Sequence, residues 1–412
     1  MTEEFYSAPS TLAELHAGPL GSHVDAFAAL LSERGYTRST GRRQLRLVAD
    51  LSHWLEGRGL GIADLDEEKI AESLKHSPRS RDFIGKFQAV FGILLEHLRR
   101  LGFVPMPKPR NDNSAMGCLL RAFEQYLVKE RGLYQHTIDQ YLRWVRRFLA
   151  ERFPDETQAL TELCSADARK FVLRHAHIGS QSRATHMTSA LRGFFRFLLL
   201  SGAITTDLAA AVPSVARWRL SSLPKSLEPG QVELLLKSCN RSHAAGQRDY
   251  AIILLLARLG LRGGEVVAMQ LEDINWKAGE LTVRGRGLLR DRMPLPHDVG
   301  EAVATYLHHG RPQCPSRRVF VHVQAPYRGF AASFSISSLI RRALRRAGIH
   351  SHHKGAHLLR HTLATEMLGK GALMTEISQV LRHRSPSTTE IYAKVDLTAL
   401  RGIAQPWPGG EA

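Results

Sequence analysis

The stretch from Gly355 to Leu368 reads GAHLLRHTLATEML, and the stretch from Ile377 to Val395 reads ISQVLRHRSPSTTEIYAKV. His357 and Arg360 are three positions apart, so they share one face of a helix. An imidazole then stands beside a guanidinium, an arrangement that can move a proton next to a bound phosphate. Tyr392 carries a phenol that can attack phosphorus and keep a strand covalently attached. These side chains together indicate phosphodiester chemistry.

Two earlier segments and one histidine complete the set of candidate catalytic residues. Arg262 lies in ARLGLRGGEVVAM, Arg286 lies in TVRGRGLLRDRMPLP, and His383 precedes Tyr392 by nine positions. A guanidinium forms a planar fork that fits two phosphate oxygens, and two guanidiniums can neutralise a pentacoordinate transition state. Glu265 fits a brace for Arg262 or a helix cap better than a base. Each residue alone has an ordinary structural explanation, and only the set of residues in this order is specific for phosphodiester chemistry.

The composition is that of a large, basic, globular protein. The chain has 412 residues, which suits two or three domains, and its formal net charge is +17. Such an excess favours a polyanionic partner or an anionic surface over a role in solubility alone. The apolar runs reach about seven residues, far short of the ~20 that cross a bilayer. The first ten residues lack a signal pattern and no C-x-x-C pair occurs, so we expect a cytoplasmic protein without membrane contact, metal or disulfide framework.

The N-terminal half contains an imperfect internal repeat. Phe27–Trp54 reads FAALLSERGYTRSTGRRQLRLVADLSHW, and Phe123–Leu149 reads FEQYLVKERGLYQHTIDQYLRWVRRFL. The apolar residues recur at helical spacing in both, so each repeat is predicted to form about four helices. Thr40 and Thr137 follow a glycine turn and are predicted as helix N-caps.

Two proline-containing polar segments, Val104–Gly117 and Ala209–Gly230, mark the predicted domain boundaries. They divide the chain into helical domains over 1–110 and 111–212 and a different domain over 224–412. Because few packing signals occur in the first of these segments, we expect domain 1–110 to fold as a helical bundle of its own.

The C-terminal domain carries the strand signals of the chain. Two short β-strands are predicted at Glu280–Arg284 and Arg292–Pro296, on either side of a GRG turn, and helices account for the rest. The predicted fold class is therefore mainly α with a small antiparallel β-sheet in the C-terminal domain.

Arginines cluster on one side of several predicted helices. Trp144 lies in an apolar helical stripe and is expected in the core, while the arginines beside it are placed to meet phosphates. Other such groups occur in the first repeat and near the C-terminus. The arginines concerned are Arg38, Arg42, Arg43 and Arg46, then Arg143, Arg146 and Arg147, and those of RRALRRAG over Arg341–Gly348.

The order arginine, β-hairpin, H-x-x-R, histidine, tyrosine resembles the tyrosine recombinase (phage integrase) family. GLRGGEV resembles the first-arginine box, HLLRHTLAT the H-x-x-R-H box, and LRHRSPSTTEIYAKV the family's C-terminal ending, with Arg382 at a usual glycine position. Residues 119–207 resemble the family's helical core-binding domain, and residues 20–105 resemble an extra copy of it. The resemblance therefore implies a C-terminal catalytic domain preceded by helical DNA-binding domains.

The resemblance implies a site-specific recombinase or integrase that acts on double-stranded DNA. Tyr392 would form a 3′-phosphotyrosyl link and release a 5′-hydroxyl. Arg262 and Arg360 would hold the phosphate, His357 would act as general acid or base toward the tyrosine, and His383 would assist. The link conserves the diester energy, so no cofactor, ATP or metal is implied. Such enzymes work as tetramers on two duplexes, alone or with related recombinases of a mobile element, and a nucleoid location follows for a bacterial protein.

One departure from the family concerns the leaving group. The family normally has a lysine in the hairpin turn, whereas this turn reads GRG and places Arg286 there. Arginine has a pKa above about 12 and gives up a proton poorly. Arg286 itself, Lys354 or Lys277 remain candidates for this role, or the enzyme is slow.

Three functions fit these features. The first is an active recombinase, and the second is a catalytically weak DNA-binding partner of related recombinases in a mobile element. A type IB topoisomerase is the third, since it shares the tyrosine chemistry. The histidines at 308–309 and 350–353 have no acidic or cysteine companions at metal-ligand spacing, so no metal site is expected.

Overall fold

A computed structural model describes residues 2–76, 84–106, 114–154, 160–215, 223–285, 290–396 and 400–401. For residues 76 and 84–89 it describes the backbone only. The chain divides into two compact units. One unit contains Met1–Pro105 together with Ser222–Ala412, and the other contains Met106–Ser221. No helix in these described ranges has both the length and the apolar character that a membrane crossing needs.

The N-terminal region contains one short helix and the four helices of the first repeat. They are α1 (Pro9–Leu15), α2 (Val24–Glu33), α3 (Arg38–Glu56), α4 (Glu67–His76) and α5 (Ile84–Arg100). Phe27, Leu45 and Leu51 are buried in a hydrophobic cluster formed by this region alone. The predicted N-cap at Thr40 is wrong, because Thr37 comes first in the turn and its hydroxyl accepts a hydrogen bond from the Thr40 amide at 3.4 Å.

The second repeat forms the other unit and has four helices, as predicted. They are α6 (Ala115–Lys129), α7 (Gln135–Arg152), α8 (Ser165–Ala176) and α9 (Gln181–Leu200). Trp144 is 9% exposed and belongs to the core, as predicted, while the neighbouring Arg143, Arg146 and Arg147 are exposed. The predicted N-cap at Thr137 is wrong, because α7 already begins at Gln135 and the Thr137 amide donates to the carbonyl of Tyr134.

The C-terminal region is helical around one small sheet. Its helices are α10 (Gln231–Lys237), α11 (Ala244–Leu259), α12 (Gly263–Ala268), α13 (His297–Thr305), α14 (Ser333–Arg346), α15 (Ala356–Gly369) and α16 (Met374–Val380). The core is centred on α11, in which every residue from Ala251 to Ala257 is buried, and α11 packs on α13 and α15. This burial on all sides explains why the apolar run of α11 has no polar face.

The sheet contains three antiparallel strands in the order β1 (Ile274–Asn275), β2 (Glu280–Arg284) and β3 (Arg290–Pro294). In the hairpin, Thr282 lies opposite Arg292. The fold class is confirmed, although β3 begins two residues before the predicted strand and β1 was not predicted. The turn residue Arg286 lies outside the described residues.

Two glycines permit close packing within the unit that contains Met1–Pro105 and Ser222–Ala412. Gly260 has φ +58°, and a Cβ there would lie 2.6 Å from Cδ2 of Leu381, so only glycine fits between α11 and the segment after α16. Gly35 has φ +78°, and a Cβ would lie 2.1 Å from Cε2 of Tyr327. The ring of Tyr327 therefore lies directly on the turn between α2 and α3. This contact joins the N-terminal helices to the C-terminal region.

Candidate active site

A cavity of about 700 Å³ opens in the C-terminal region, between α12, the hairpin, α15 and the segment after α16. Arg262, His357 and His383 line it. Arg360 and Tyr392, which are 3% and 1% exposed, are not among the described residues that line it. The structure thus brings three of the predicted residues to one open surface and buries the other two nearby.

Arg262 precedes α12 and is held by a buried carboxylate. Its Nη1 donates to Oε1 of Glu265 at 2.8 Å, and its main-chain amide donates to Oε2 of the same residue at 2.8 Å. Glu265 is 6% exposed, whereas the Arg262 side chain is 39% exposed. Glu265 therefore both caps the helix and orients Arg262 toward the cavity, as predicted.

Arg382 is a second partner of the same carboxylate. Its Nη2 donates to Oε2 of Glu265 at 2.8 Å, and it adopts the left-handed conformation with φ 53°. A non-glycine residue rarely adopts this conformation without compensation. Because Arg382 also lines the cavity, this departure from the family adds a guanidinium beside Arg262.

Arg360 lies beneath the cavity, on the inner face of α15. Its Nη1 donates to the carbonyl of Gly260 and its Nη2 to the carbonyl of Leu381. Burial, with a smaller effect of the Arg262 and Arg382 charges, lowers the pKa of Arg360 to about 10. The guanidinium therefore stays charged at neutral pH, and its two carbonyl contacts fix its orientation.

Tyr392 contacts His361, the fourth residue after His357 on α15. Nδ1 of His361 lies 2.8 Å from the phenolic oxygen of Tyr392. Burial raises the pKa of Tyr392 to about 12 against the lowering effect of Arg360. Burial, with His357 and Arg360 adding to it, lowers the pKa of His361 to about 4. At neutral pH both partners are uncharged, so they form a neutral hydrogen bond in the core.

His383 is oriented by a threonine. Its Nδ1 lies 2.8 Å from Oγ1 of Thr389. Burial, with a smaller effect of Arg360 and Arg262, lowers the pKa of His383 to about 4. The imidazole is therefore neutral at physiological pH and can offer one N–H to a bound oxygen.

The β-hairpin reaches the cavity through the end of its second strand. Arg284 and Gly285 line the cavity, and Arg284 Nε donates to both carboxylate oxygens of Asp273 at 2.9 and 2.8 Å. Arg286 follows directly but lies outside the described residues. Lys277 and Lys354 are exposed, and neither is among the described residues that line the cavity.

Sequence reasoning gave no role to His361 or Thr389. His361 is four residues after His357, so helical spacing places both on one face of α15. That signal could have identified His361 as a neighbour of the site, but its contact with Tyr392 depends on how the last turns pack. For Thr389 no sequence signal separates it from Thr388.

Known proteins share the sequence of this chain over most of its length. The phage integrase family model matches residues 225–398, and the model of the phage integrase N-terminal SAM-like domain matches residues 120–202. A Sinorhizobium fredii protein named integrase/recombinase y4rA is 43% identical to this chain over 406 residues, which cover 98% of each chain. The chain belongs to the phage integrase family of tyrosine recombinases. The resemblance found in the sequence motifs is thereby confirmed.

Other tyrosine recombinases match about 70% of this chain. Tyrosine recombinase XerD of Mycobacterium tuberculosis is 30% identical over 312 residues, which cover 70% of this chain and 96% of that protein. The XerH site-specific recombinase bound to its palindromic difH substrate shares the fold with a TM-score of 0.55 at 17% identity, over 72% of this chain and 97% of that chain. The lambda integrase dimer bound to a COC′ core site gives a TM-score of 0.53 at 18% identity, over 71% and 98% of the two chains.

Proposed function

We propose that this tyrosine recombinase cleaves and rejoins duplex DNA, with Tyr392 as the nucleophile and the cavity at Arg262 as the phosphate site. The observation that carries the proposal is the cavity itself. It joins a braced arginine, Arg262, to two histidines, His357 and His383, with Arg360 buried beside them. A concave, cationic surface of this kind complements a phosphodiester.

The arginines and histidines have separate tasks at the phosphate. Arg262 offers its fork to the non-bridging oxygens while Glu265 holds it in place, and the fixed charge of Arg360 lies beside it. His357 is exposed in the cavity and moves the proton at the reacting oxygens. His383, neutral and held by Thr389, donates a hydrogen bond to the phosphate.

The reaction exchanges one ester for another. The Tyr392 oxygen forms a bond to phosphorus, the bond from phosphorus to the 5′-oxygen breaks, and the phenolic proton leaves toward the site's bases while the 5′-oxygen gains one. The 3′-phosphotyrosyl link that results is attacked in turn by a 5′-hydroxyl of a partner strand. Tyr392 must leave His361 before the first step, because it is 1% exposed outside the cavity.

The assembly we propose is a tetramer on two duplexes. One solved relative with this fold is a lambda integrase tetramer bound to a Holliday junction, with a TM-score of 0.53 at 18% identity. Strand exchange between two duplexes needs four reactive tyrosines, which one chain cannot supply. We place the protein at the bacterial nucleoid, as the recombinase of a mobile element that acts alone or with related recombinases.

The experiment that tests this proposal traps the covalent intermediate. A nicked suicide duplex loses its short 5′ product, so an adduct formed on it accumulates. The unchanged chain should give an SDS-resistant adduct, and Tyr392→Phe should give none while it still binds the duplex. An adduct from Tyr392→Phe would assign another nucleophile. No adduct from either chain would favour the accessory partner, and relaxation of supercoils without site preference would favour a topoisomerase.

A further inference from the structure

Arg382 lines the cavity on a backbone conformation that few side chains accept. Among the described residues it is the one residue other than glycine with a left-handed φ, at 53°. Its side chain is 10% exposed, and its Nε is buried without a hydrogen-bond partner within the described part of the chain. Both features are unfavourable, and costs of this kind cluster at functional sites. The presence of arginine here therefore needs an explanation beyond packing.

The guanidinium of Arg382 is fixed by contacts to several elements. Its Nη2 donates to Oε2 of Glu265 at 2.8 Å, and its Nη1 lies 3.3 Å from both Sδ of Met293 in β3 and the carbonyl oxygen of Val380 in α16. Because both terminal nitrogens are engaged, the guanidinium cannot turn toward a bound phosphate without leaving Glu265. Its effect on a phosphate in the cavity therefore passes through Glu265.

The carboxylate of Glu265 contacts two guanidiniums at once. Oε1 accepts from Nη1 of Arg262 and Oε2 accepts from Nη2 of Arg382, each at 2.8 Å. With Arg262 as its one guanidinium partner, the buried carboxylate would cancel most of the positive field that Arg262 directs at the cavity, because opposite charges in contact offset each other at a distance. With Arg382 present, two positive charges and one negative charge leave the group with one net positive charge.

The charge of Arg382 is also felt by other residues of the site. Burial is the main cause that lowers the pKa of Arg360 to about 10 and the pKa of His383 to about 4. The charges of Arg262 and Arg382 add to both shifts. A cation that acts on Arg360 and His383 also acts on an anion bound in the cavity.

We propose that Arg382 is a positioning residue for strand cleavage, which holds Glu265 and offsets its negative charge so that Arg262 meets the phosphate with its own charge undiminished. Glycine at this position would leave Glu265 to Arg262 alone. The negative charge that builds up on the pentacoordinate phosphorus is stabilised better with Arg382 than with a neutral residue. The role in cleavage rests on the proposed function, whereas the shared carboxylate does not.

The test separates the charge of Arg382 from its shape. Arg382→Gln is unbranched at Cβ like arginine, so the backbone cost stays similar, and its amide can still donate to Glu265, but it carries no charge. Arg382→Lys keeps the charge. Arg317→Gln is the control, since Arg317 pairs with the exposed Glu272 and is not among the described residues that line the cavity. Thermal unfolding checks that each variant folds.

Single-turnover adduct formation is measured on two suicide duplexes, one with the ordinary diester and one with a methylphosphonate at the cleavage position. The methylphosphonate replaces a charged non-bridging oxygen by a methyl group, so its transition state carries less negative charge. On the diester, we expect Arg382→Gln to react roughly tenfold more slowly than the parent, and Arg382→Lys and the control to stay within about threefold of it. On the methylphosphonate, Arg382→Gln should also stay within about threefold of the parent.

A double variant tests whether Arg382 acts through Glu265. Glu265→Gln removes the negative charge that Arg382 offsets, so Arg382→Gln/Glu265→Gln should react faster on the diester than Arg382→Gln. A folded double variant as slow as Arg382→Gln would overturn the proposal. An equal loss on both substrates, which a purely structural role predicts, would also overturn it, and this comparison decides alone where the double variant does not fold.

Titration with inorganic phosphate gives a measurement that needs no cleavage. In the Tyr392→Phe chain, NMR signals of isotope-labelled His357 and His383 follow phosphate binding in the cavity, and Arg382→Gln should weaken it roughly tenfold. Weaker phosphate binding by Arg382→Gln, with no adduct from the parent, would count against the proposed function and not against the effect of Arg382 on a bound anion. Equal phosphate binding and equal adduct formation by Arg382→Gln and the parent would overturn the proposal.

Discussion

Nδ1 of His361 lies 2.8 Å from the phenolic oxygen of Tyr392, and this contact joins α15 to the turn over Glu390–Val395. It satisfies a hydroxyl that would otherwise be buried without a partner. Because an unsatisfied buried hydroxyl costs about 1–3 kcal/mol, the contact favours the position of Tyr392 outside the cavity. We infer that His361 restrains Tyr392, the proposed nucleophile, in this buried position.

The first prediction concerns this contact. His361→Leu keeps a side chain of similar size but removes the partner of the phenol, so Tyr392 should leave its buried position more readily. A net hydrogen bond contributes about 0.5–1.5 kcal/mol, and we therefore expect adduct formation roughly two- to tenfold faster. Single-turnover kinetics on the suicide duplex measure this rate. His352→Leu, an exposed histidine of the same region, is the control and should leave the rate unchanged.

Slower adduct formation by His361→Leu, with folding intact, would contradict this prediction. It would show that His361 assists the attack itself and does not restrain the tyrosine.

A second prediction follows from the two buried histidines. Burial is the largest cause that lowers the pKa of both His361 and His383 to about 4, below the ordinary value of 6.5. Between these values the unfolded chain binds more protons than the folded chain, so stability rises with pH in this window and is lost as the pH falls through it. We expect the unfolding temperature to drop as the pH falls from about 6.5 toward 4, and His361→Leu to reduce that dependence.

Calorimetry at a series of pH values measures the effect, with His352→Leu again as control. An unchanged pH dependence in His361→Leu would mean that His361 titrates normally in the folded protein.

The ordered motifs predicted which residues of the C-terminal region meet, because each motif carries its own local signal. The spacing of His357 and Arg360 fixes their relation on one helix, and Glu265 follows Arg262 at capping distance. The sequence could not predict the position of Tyr392, because this position depends on how the final turns pack on α15. The N-cap predicted at Thr40 lies at Thr37, because both threonines can cap a helix at that place and the sequence does not distinguish them.

The third prediction concerns Arg382, where the family has glycine. Arg382→Gly relieves a left-handed conformation that costs roughly 1–2 kcal/mol, but it removes a charged hydrogen bond to Glu265 of roughly 1.5–3 kcal/mol. Because Glu265 is 6% exposed and keeps Arg262 as a partner, we expect a net loss of about 1 kcal/mol. Urea denaturation measures the free energy of unfolding.

Arg382→Asn separates the two effects, because asparagine tolerates the left-handed conformation better than other non-glycine residues but carries no charge. It should be at least as destabilising as Arg382→Gly. A gain in stability for Arg382→Gly would mean that backbone strain outweighs the ion pair.

The last prediction concerns the departing 5′-oxygen and the turn residue Arg286. Arg284 and Gly285, which line the cavity, directly precede Arg286 in the sequence. Arginine, with a pKa above about 12, protonates a leaving oxygen poorly, whereas lysine, with a pKa near 10.4, does so more readily. A substrate with a 5′-bridging sulfur has a better leaving group and needs no proton donor. This chain should therefore cleave the sulfur substrate much faster than the oxygen substrate, and Arg286→Lys should accelerate only the oxygen substrate.

The comparison of the two substrates distinguishes proton donation from phosphate binding. Arg286 can instead bind the phosphate while another group supplies the proton. In that case Arg286→Lys leaves the cleavage rate of the oxygen substrate unchanged or lowers it. It then changes the cleavage rate of the sulfur substrate to the same extent. Lys277→Ala and Lys354→Ala identify the donor in that case, because only loss of the true donor is rescued by sulfur. Since neither lysine is among the described residues that line the cavity, we expect both variants to cleave the oxygen substrate at the rate of the parent.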